Sequence, residues 1–368
     1  MAKKDLAAGN LPPFLERGEP APWFRAPALS GLPSYAFDTV AGRHVLLLFF
    51  GSAADEASRR ALALVERDRA LLDDVHACFF GVTCDAEDVR QGRIAQQLPG
   101  IRFFLDFDRA VSRAYGAAID DFYRPHWLVL DPGLRVLGTF PIEAGEQALA
   151  LLRTEMDTVQ SDSWAPVLMV PNVLTSALCA ELIAGYEANG GEESGFMREV
   201  DGKTVLLVDP HHKRRRDWVI EDERMRARLA QAVRRHLAVP VQRAFQFRPT
   251  RIERYVIACY EAGAGHFRPH RDNTTKGTAH RRFAVTINLN AGDYDGGDLR
   301  FPEFGQRTYR APTGGAIVFS CSLLHEATPV TRGRRYAYLP FLYDEEGARL
   351  REANNPHLAD GLGTYKAG

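Results

Sequence analysis

The sequence predicts two domains of different class, an α/β layer in the first half and a β sandwich or barrel in the second. Three observations carry this. A length of 368 residues with 45% hydrophobic and 25% charged residues is globular composition on a chain long enough for two domains. In the first half, short apolar runs bounded by Gly, Asp or Pro flank a helical pattern. From residue 251 onward, strand-like runs follow one another with turn residues between them.

The runs HVLLLFFG (44–51), ACFFGVTC (77–84) and HWLVLDP (126–132) read as strands buried on both faces. Between the first two, DEASRRALALVERDRALLDD (55–74) sets Ala61, Leu62, Val65 and Leu72 in an apolar stripe opposite Arg and Glu, the pattern of an amphipathic helix. Strand, helix, strand in that order implies a right-handed βαβ unit. The segment EMDTVQSDSWAPVLMVPNVL (155–174) then changes character. A polar stretch with Ser161 and Ser163 leads to Trp164, Pro166 and a short apolar run ended by Pro171, which reads as a linker. The expected domains are 1–157 and 158–368, with the boundary near residue 160.

Leu174, Leu178, Cys179, Leu182, Ile183 and Tyr186 predict a helix that stops at Gly190 and Gly191, and Met225, Leu229, Val233 and Leu237 a second helix over about 221–238. Both read as scaffold. In RFAVTINLN (282–290), Phe283, Val285, Ile287 and Leu289 alternate with Ala284, Thr286, Asn288 and Asn290, the period of a strand with one apolar face. AGDYDGGD and APTGG supply the glycines of tight turns.

Lys plus Arg (46) balances Asp plus Glu (47), so no basic field directs the chain to nucleic acid. The run HHKRRR (211–216) reads as a solvated or substrate-edge loop. The longest apolar run, VLLLFF (45–50), is too short to span a membrane, and MAKKDLAAGN lacks the apolar core of a signal peptide. The expectation is a soluble cytoplasmic protein without a membrane or nucleic-acid partner. Cys78, Cys84, Cys179, Cys259 and Cys321 are scattered in apolar contexts, as buried free thiols of a reducing compartment.

The chemistry concentrates in HFRPHRDN (266–273). His270 and Asp272, two apart in a strand, point the same way, and His325 closes the distant run GAIVFSCSLLH. Two neutral imidazoles and a carboxylate on one face of an octahedron leave three positions open, which suits non-haem Fe(II) binding a cosubstrate and oxygen. Arg335 offers a guanidinium fork for the distal carboxylate of a dicarboxylate cosubstrate, and Tyr260 a phenolic hydrogen bond. His266 and His280 fit no ligand position and read as loop or pocket-edge residues. The GDYDGGD carboxylates lack EF-hand spacing and read as turn formers.

Two resemblances add to this. GEPAPWFRAPALSG, VLLLFFG, FFGVTCDAED, RFFLDFDRAVSRAYGA and YRPHWLVLDPGLRVL together resemble a peroxiredoxin of the thioredoxin-like fold over about residues 18–155. Arg124 matches that family's active-site arginine. The helix start that should carry a low-pKa cysteine reads GSAADEASRR, with Asp55 and Glu56 where a thiolate needs positive surroundings, and Cys84 is no positional substitute. The expected role is docking, dimerisation or stabilisation, with a homodimer formed through this domain, rather than thiol peroxidase activity.

The second resemblance rests on H-x-D, the distant His and Arg, with YEAGAGHFRPHRDN, DYDGGDLRF, PTGGAIVFSCSLLHEATPVTRGRRYA and the helix LTSALCAELIAGYE. Over about residues 165–345 the chain resembles the iron(II)- and 2-oxoglutarate-dependent dioxygenases of the prolyl 4-hydroxylase type. That implies a double-stranded β-helix (jelly roll) with flanking helices. It implies His270, Asp272 and His325 as iron ligands, Arg335 as the 2-oxoglutarate anchor and Tyr260 as its support. Arg334 is the adjacent alternative, and Arg335 is preferred because it directly precedes the aromatic Tyr336. Asn288 stands in the cosubstrate site where some relatives place a second tyrosine. The implied activity is hydroxylation of an unactivated C–H bond with Fe(II), 2-oxoglutarate and O2, ascorbate as reductant, and release of succinate and CO2. The substrate would be a prolyl or related side chain in a peptide or protein, or a small metabolite. The rival readings are a retired binding module and a thiol-redox protein working through Cys78 or Cys84.

Overall fold

The computed structural model describes residues 13–158 and 163–367. The start MAKKDLAAGN, Ser161 and the boundary expected near residue 160 lie outside the described residues. The chain divides into two compact units, Met1–Ser163 with Pro302–Gly305, and Trp164–Phe301 with Gln306–Gly368.

The first unit is thioredoxin-like. Its strands are β1 (His44–Gly51), β2 (Ala77–Thr83), β3 (Ile101–Leu105), β4 (His126–Leu130) and β5 (Val136–Pro141), in spatial order β3-β2-β1-β4-β5. β1 and β2 pair in parallel, as do β2 and β3, while β4 runs antiparallel to β1 and to β5. The unbroken apolar runs of β1, β2 and β4 are required because both sheet faces are covered. Helices α1 (Glu56–Arg67) and α2 (Gly145–Asp157) bring Ala61, Val65, Ala148, Leu149 and Leu152 against Leu46, Leu48, Phe79 and Trp127. The opposite face is closed by rings, Phe24 stacked on Phe37 at 4.8 Å and Phe80 on Phe104 at 4.9 Å.

The helix expected over 55–74 ends at Arg67. Asp68 there accepts from Arg67 (2.5 Å) and Arg153 of α2, and the chain turns into the short 3-10 segment Arg69–Leu71.

The second unit is a two-sheet β structure with helices on one side. Its elements in chain order begin with β6 (Leu168–Val170), α3 (Ser176–Asn189), β7 (Glu192–Glu193), the hairpin β8 (Phe196–Val200) and β9 (Lys203–Leu207), β10 (Lys213–Arg214) and β11 (Arg216–Val219). They continue with α4 (Glu223–Phe245), β12 (Val256–Glu261), β13 (His266–His270), β14 (Phe283–Asn288), β15 (Leu299–Arg300) and β16 (Thr308–Tyr309). Further along are β17 (Ala316–Ser320), β18 (His325–Ala327) and β19 (Arg334–Tyr338), with the strand Phe341–Tyr343 and the helix Glu345–Ala353 after them. The large sheet runs β6-β17-β14-β19-β12-β11-β7, and the small one β10-β13-β18-β15-β16.

Strand parity divides the large sheet. Ile257, Cys259, Val285, Ile287, Val318, Tyr336 and Tyr338 face Cys179, Leu182 and Tyr186 of α3 and Leu229, Val233 and Leu237 of α4 in one core. The residues between them point the other way, where Ala258 and Tyr260 pack with Phe267 of β13 and Ala327 of β18. That face is the interior between the sheets, as the jelly-roll expectation requires.

Both helices have side-chain caps, Thr175 accepting from Leu178 N–H and Asp222 from Arg224 and Met225 N–H, each at 3.2 Å. α3 stops at Gly190, whose φ of +71° a side chain would disfavour. α4 runs past its expected end near 238 and through Pro240, because Val241 is fully buried and the Phe245 ring stacks on Phe283 at 4.9 Å. Tertiary packing outweighs the hydrogen bond a proline removes.

Candidate active site

β13 and β18 pair antiparallel, and His270 stands opposite His325 in the ladder. The ladder is irregular between Phe267 and His270, and just beyond it the chain leaves β13 with Asp272, whose backbone N–H donates to the Cys321 carbonyl (3.0 Å). Asp272 thereby meets both imidazoles: its Oδ1 lies 3.6 Å from His270 Nε2 and its Oδ2 3.3 Å from His325 Nε2. One donor atom from each side chain falls within 4.8 Å of the others.

The imidazoles are oriented by their own strands. His270 Nδ1 lies 2.8 Å from the Arg268 carbonyl oxygen and His325 Nδ1 3.0 Å from that of Leu323. A carbonyl only accepts, so each Nδ1 carries the hydrogen and each Nε2 presents a lone pair to the cluster. Burial and the neighbouring His325 push the His270 pKa down to about 4. Burial alone would raise the Asp272 carboxyl, but the two histidines beside it hold it well below the usual carboxylate range. Phe267 stacks on His270 and Phe319 stands edge-on to His325, walling the cluster with apolar rings.

Arg335, 2% exposed, extends from β19 on the interior face, its Cα paired in register with Tyr260 of β12. Its guanidinium lies 5.0 Å from the Tyr260 ring centroid, and its Nε and Nη1 have no hydrogen-bond partner among the described residues. Arg334 points outward to Glu187 (2.9 Å). Asn288 is buried on the same face as Arg335. Its Nδ2 donates to the Ala311 carbonyl (2.8 Å), and its Oδ1 is without a partner among the described residues.

Sequence reasoning missed Tyr294. It is 1% exposed, lies in the interior cluster with Tyr260 and Phe267, and its hydroxyl has no partner among the described residues. Gly297 belongs to the same feature: at φ +65°, a Cβ there would come within 3.1 Å of Arg335 Cδ and 2.8 Å of Val330. The only advance signal was the glycine pair in DYDGGD, read as a turn. The carboxylates of that loop do pair with arginines, Asp295 with Arg332 (2.6 Å) and Asp298 with Arg310 (2.5 Å).

One expectation needs correction. The HHKRRR run is not a solvated loop throughout. Lys213 and Arg215 are 4% and 6% exposed while Arg214 and Arg216 face out, a strand alternation imposed by pairing of β10 with β13 and of β11 with β12. His280 lies in a turn, as expected, but is buried. It is 1% exposed and bonds Glu253 through Nε2 (2.8 Å), and the same carboxylate holds Arg281 (2.8 Å), whose Nη1 donates to the Asp272 carbonyl (3.3 Å). His266 bonds the carbonyls of Ala264 and His211.

In the first unit, the segment where a peroxiredoxin thiolate would stand is stapled by Asp88, which is fully buried and accepts from Ala53 N–H (2.9 Å) and Thr83 Oγ1 (2.6 Å). Burial pushes the Cys78 thiol up to about 12 and raises that of Cys84, whose Sγ lies 3.3 Å from Ser112 Oγ. Both are the reverse of an activated thiol. Arg124 lies over the Phe14 ring at 3.6 Å and donates to the Gly116 carbonyl (3.2 Å). Among the described residues, no helix is long and apolar enough to cross a membrane.

The chain shows the following likenesses to known proteins. Residues 255–343 match the family model of the 2OG-Fe(II) oxygenase superfamily. A PKHD-type hydroxylase of Synechococcus sp. (strain JA-2-3B'a(2-13)) is 38% identical over 96 residues, 24% of this chain and 42% of that protein. The chain thus spans about two fifths of the length of this curated relative. Among solved structures, the prolyl hydroxylase of Trichoplax adhaerens in complex with a hypoxia-inducible-factor peptide is 18% identical, with a TM-score of 0.40, covering 53% of this chain and 89% of that one. Mycobacterium tuberculosis AhpC is 17% identical, with a TM-score of 0.33, covering 42% of this chain and all of that one. The superfamily implies Fe(II), 2-oxoglutarate and O2. Over residues 255–343, the second unit is similar to the 2OG-Fe(II) oxygenase superfamily.

Proposed function

We propose that the second unit is an Fe(II)- and 2-oxoglutarate-dependent dioxygenase that hydroxylates an unactivated C–H bond and releases succinate and CO2. The observation that carries the reading is the meeting of His270 Nε2, the Asp272 carboxylate and His325 Nε2 within 4.8 Å. The donor set fits the ion: two neutral imidazoles and one carboxylate, three ligands that leave other coordination positions open, is the set non-haem Fe(II) favours. In this reading the three side chains hold the iron, and the Nδ1 hydrogen bonds of the two histidines fix the angle at which each Nε2 meets it. When bound, the iron supplies the oxygen-activating redox chemistry that no side chain provides.

The rest is orientation and exclusion of water. Arg335 receives the distal carboxylate of 2-oxoglutarate on the Nε and Nη1 hydrogens that no described residue takes. Tyr260 and Tyr294 stand in the same interior as donors to that carboxylate. The spare Oδ1 of Asn288 is an acceptor, which suits a water or a substrate hydroxyl better than a carboxylate. Phe267, Ala327 and Val330 keep the interior apolar.

The substrate in this reading is a prolyl or related side chain in a peptide or protein, or a small metabolite, with ascorbate as reductant. The protein works in the cytoplasm without a nucleic-acid or membrane partner. The domain limits are 1–157 and 158–368, and the first domain docks, stabilises or homodimerises rather than acting as a thiol peroxidase.

The test is anaerobic absorbance on adding Fe(II) and then 2-oxoglutarate, with Asp272→Ala alongside. A visible band that grows with 2-oxoglutarate and is lost in the variant is expected. A folded wild-type protein without the band would refute the proposal, and binding without succinate release under oxygen would favour a retired binding module.

A further inference from the structure

We infer that Arg215 is a positioning residue for 2-oxoglutarate, acting through the hydroxyl of Tyr260; the inference rests on the function proposed above. Arg215 is 6% exposed and its guanidinium is immobilised from two sides. Nε and Nη2 clamp the two oxygens of Asp217, each at 2.6 Å. Ser194 Oγ closes the arrangement, lying 2.5 Å from Asp217, 2.6 Å from Lys213 Nζ and 3.2 Å from Arg215 Nη2. With its plane fixed by this fork, Arg215 has Nη1 left, and Nη1 donates to Tyr260 Oη at 3.2 Å.

A guanidinium donates and never accepts. Its hydrogen therefore occupies a lone pair of the phenol, and the single hydrogen of Tyr260 must point elsewhere. The Tyr260 ring lies between two guanidinium groups, with Arg215 Cζ 5.6 Å and Arg335 Cζ 5.0 Å from its centroid. Arg215 thus leaves the Tyr260 hydrogen free for an anion held at Arg335. A carboxylate arriving there meets a donor that has no internal bond to break, which is preorganisation. Stability does not account for the arrangement, because a buried ion pair gains little over apolar residues of the same volume.

The test is a double-mutant cycle on the full chain, read as the 2-oxoglutarate Kd from the anaerobic Fe(II) absorbance titration, with Fe(II) affinity and melting temperature measured in parallel. Tyr260→Phe removes only the hydroxyl. Arg215→Lys keeps the charge and loses the fork; if it fails to fold, Arg215→Met with Asp217→Leu removes the pair together. The expected result is a loss of roughly tenfold in 2-oxoglutarate affinity for the Arg215 variant, the scale of one charge-assisted hydrogen bond. Fe(II) affinity should not change, and no further loss should appear in the Tyr260→Phe background. Equal losses in both backgrounds, no loss in either, or a parallel loss of Fe(II) affinity would overturn the inference. A wild-type protein that binds Fe(II) but no 2-oxoglutarate would overturn the proposed function and this inference with it, whereas additive losses in a wild type that binds both would remove only the inference.

Discussion

Replacing Arg335 with Met should stabilise the ligand-free protein and abolish its response to 2-oxoglutarate. Arg335 is 2% exposed, and two of its N–H groups, Nε and Nη1, have no partner among the described residues. Each unmet buried donor costs about 1–3 kcal/mol. The cation–π contact with Tyr260 at 5.0 Å returns about 0.5–2 kcal/mol, which the variant would forgo. Met has similar length and no hydrogen bonds to lose, so the central values of these two terms leave the variant a gain of about 3 kcal/mol. For a domain of this size that is a melting-temperature rise of roughly 6–12 °C. Wild-type protein with a divalent ion and 2-oxoglutarate at a hundredfold excess over its Kd should gain about 2.7 kcal/mol, and the variant almost none at the same concentration. Thermal melts of both proteins, each with and without the cosubstrate, give the four values needed. A variant that melts lower than wild type when ligand-free, yet is still raised by 2-oxoglutarate, would refute both the burial argument and the assignment of Arg335.

Three further outcomes follow from the structure. Glu253→Ala leaves Arg281 buried without its carboxylate, and should cost about 3–5 kcal/mol in urea unfolding; an unchanged midpoint would remove this pair from the account of stability. His126, 1% exposed and stacked on Phe49, has its pKa pushed by burial from the ordinary 6.5 down to about 4. The unfolded chain therefore binds the proton first: stability is unaffected above pH 6.5 and falls as the pH drops towards 4, by up to about 3 kcal/mol, and His126→Phe should flatten that part of the curve. Cys84→Ala should leave succinate release unchanged, and neither protein should consume hydrogen peroxide rapidly. A Cys84-dependent peroxidase rate would restore the thiol reading.

The helices and sheets were legible where one physical signal dominated. The apolar runs at 44–51 and 77–84 admit little but central strands, and the alternation in 282–290 gives the two faces of β14 directly. His270, Asp272 and His325 could be picked out because metal-ligating residue types in that spacing are scarce in a strand context, although only the ladder shows the two imidazoles facing each other. Lys213 and Arg215 were not legible. A run of cations looks solvated until the neighbouring strands fix which members turn inward, and the partner that makes burial affordable, Asp217, is one more charge in the same run. Tyr294 sits in a loop, where no periodicity marks a buried side chain. Pro240 argued for a helix end, and the distant Phe283 that holds the last turn in place is invisible to local pattern.

The opposition of His270 to His325 across two hydrogen-bonded strands also sets an order of assembly. The two imidazoles are distant in sequence, and no short segment of the nascent chain can chelate an ion with both. The small sheet must zip into register first, and a slip of one residue in either strand would turn one imidazole to the opposite face. On the function proposed above, iron would be a late arrival that a finished protein captures, rather than a template around which the chain folds. Chain made without iron would then fold first and take up the metal afterwards.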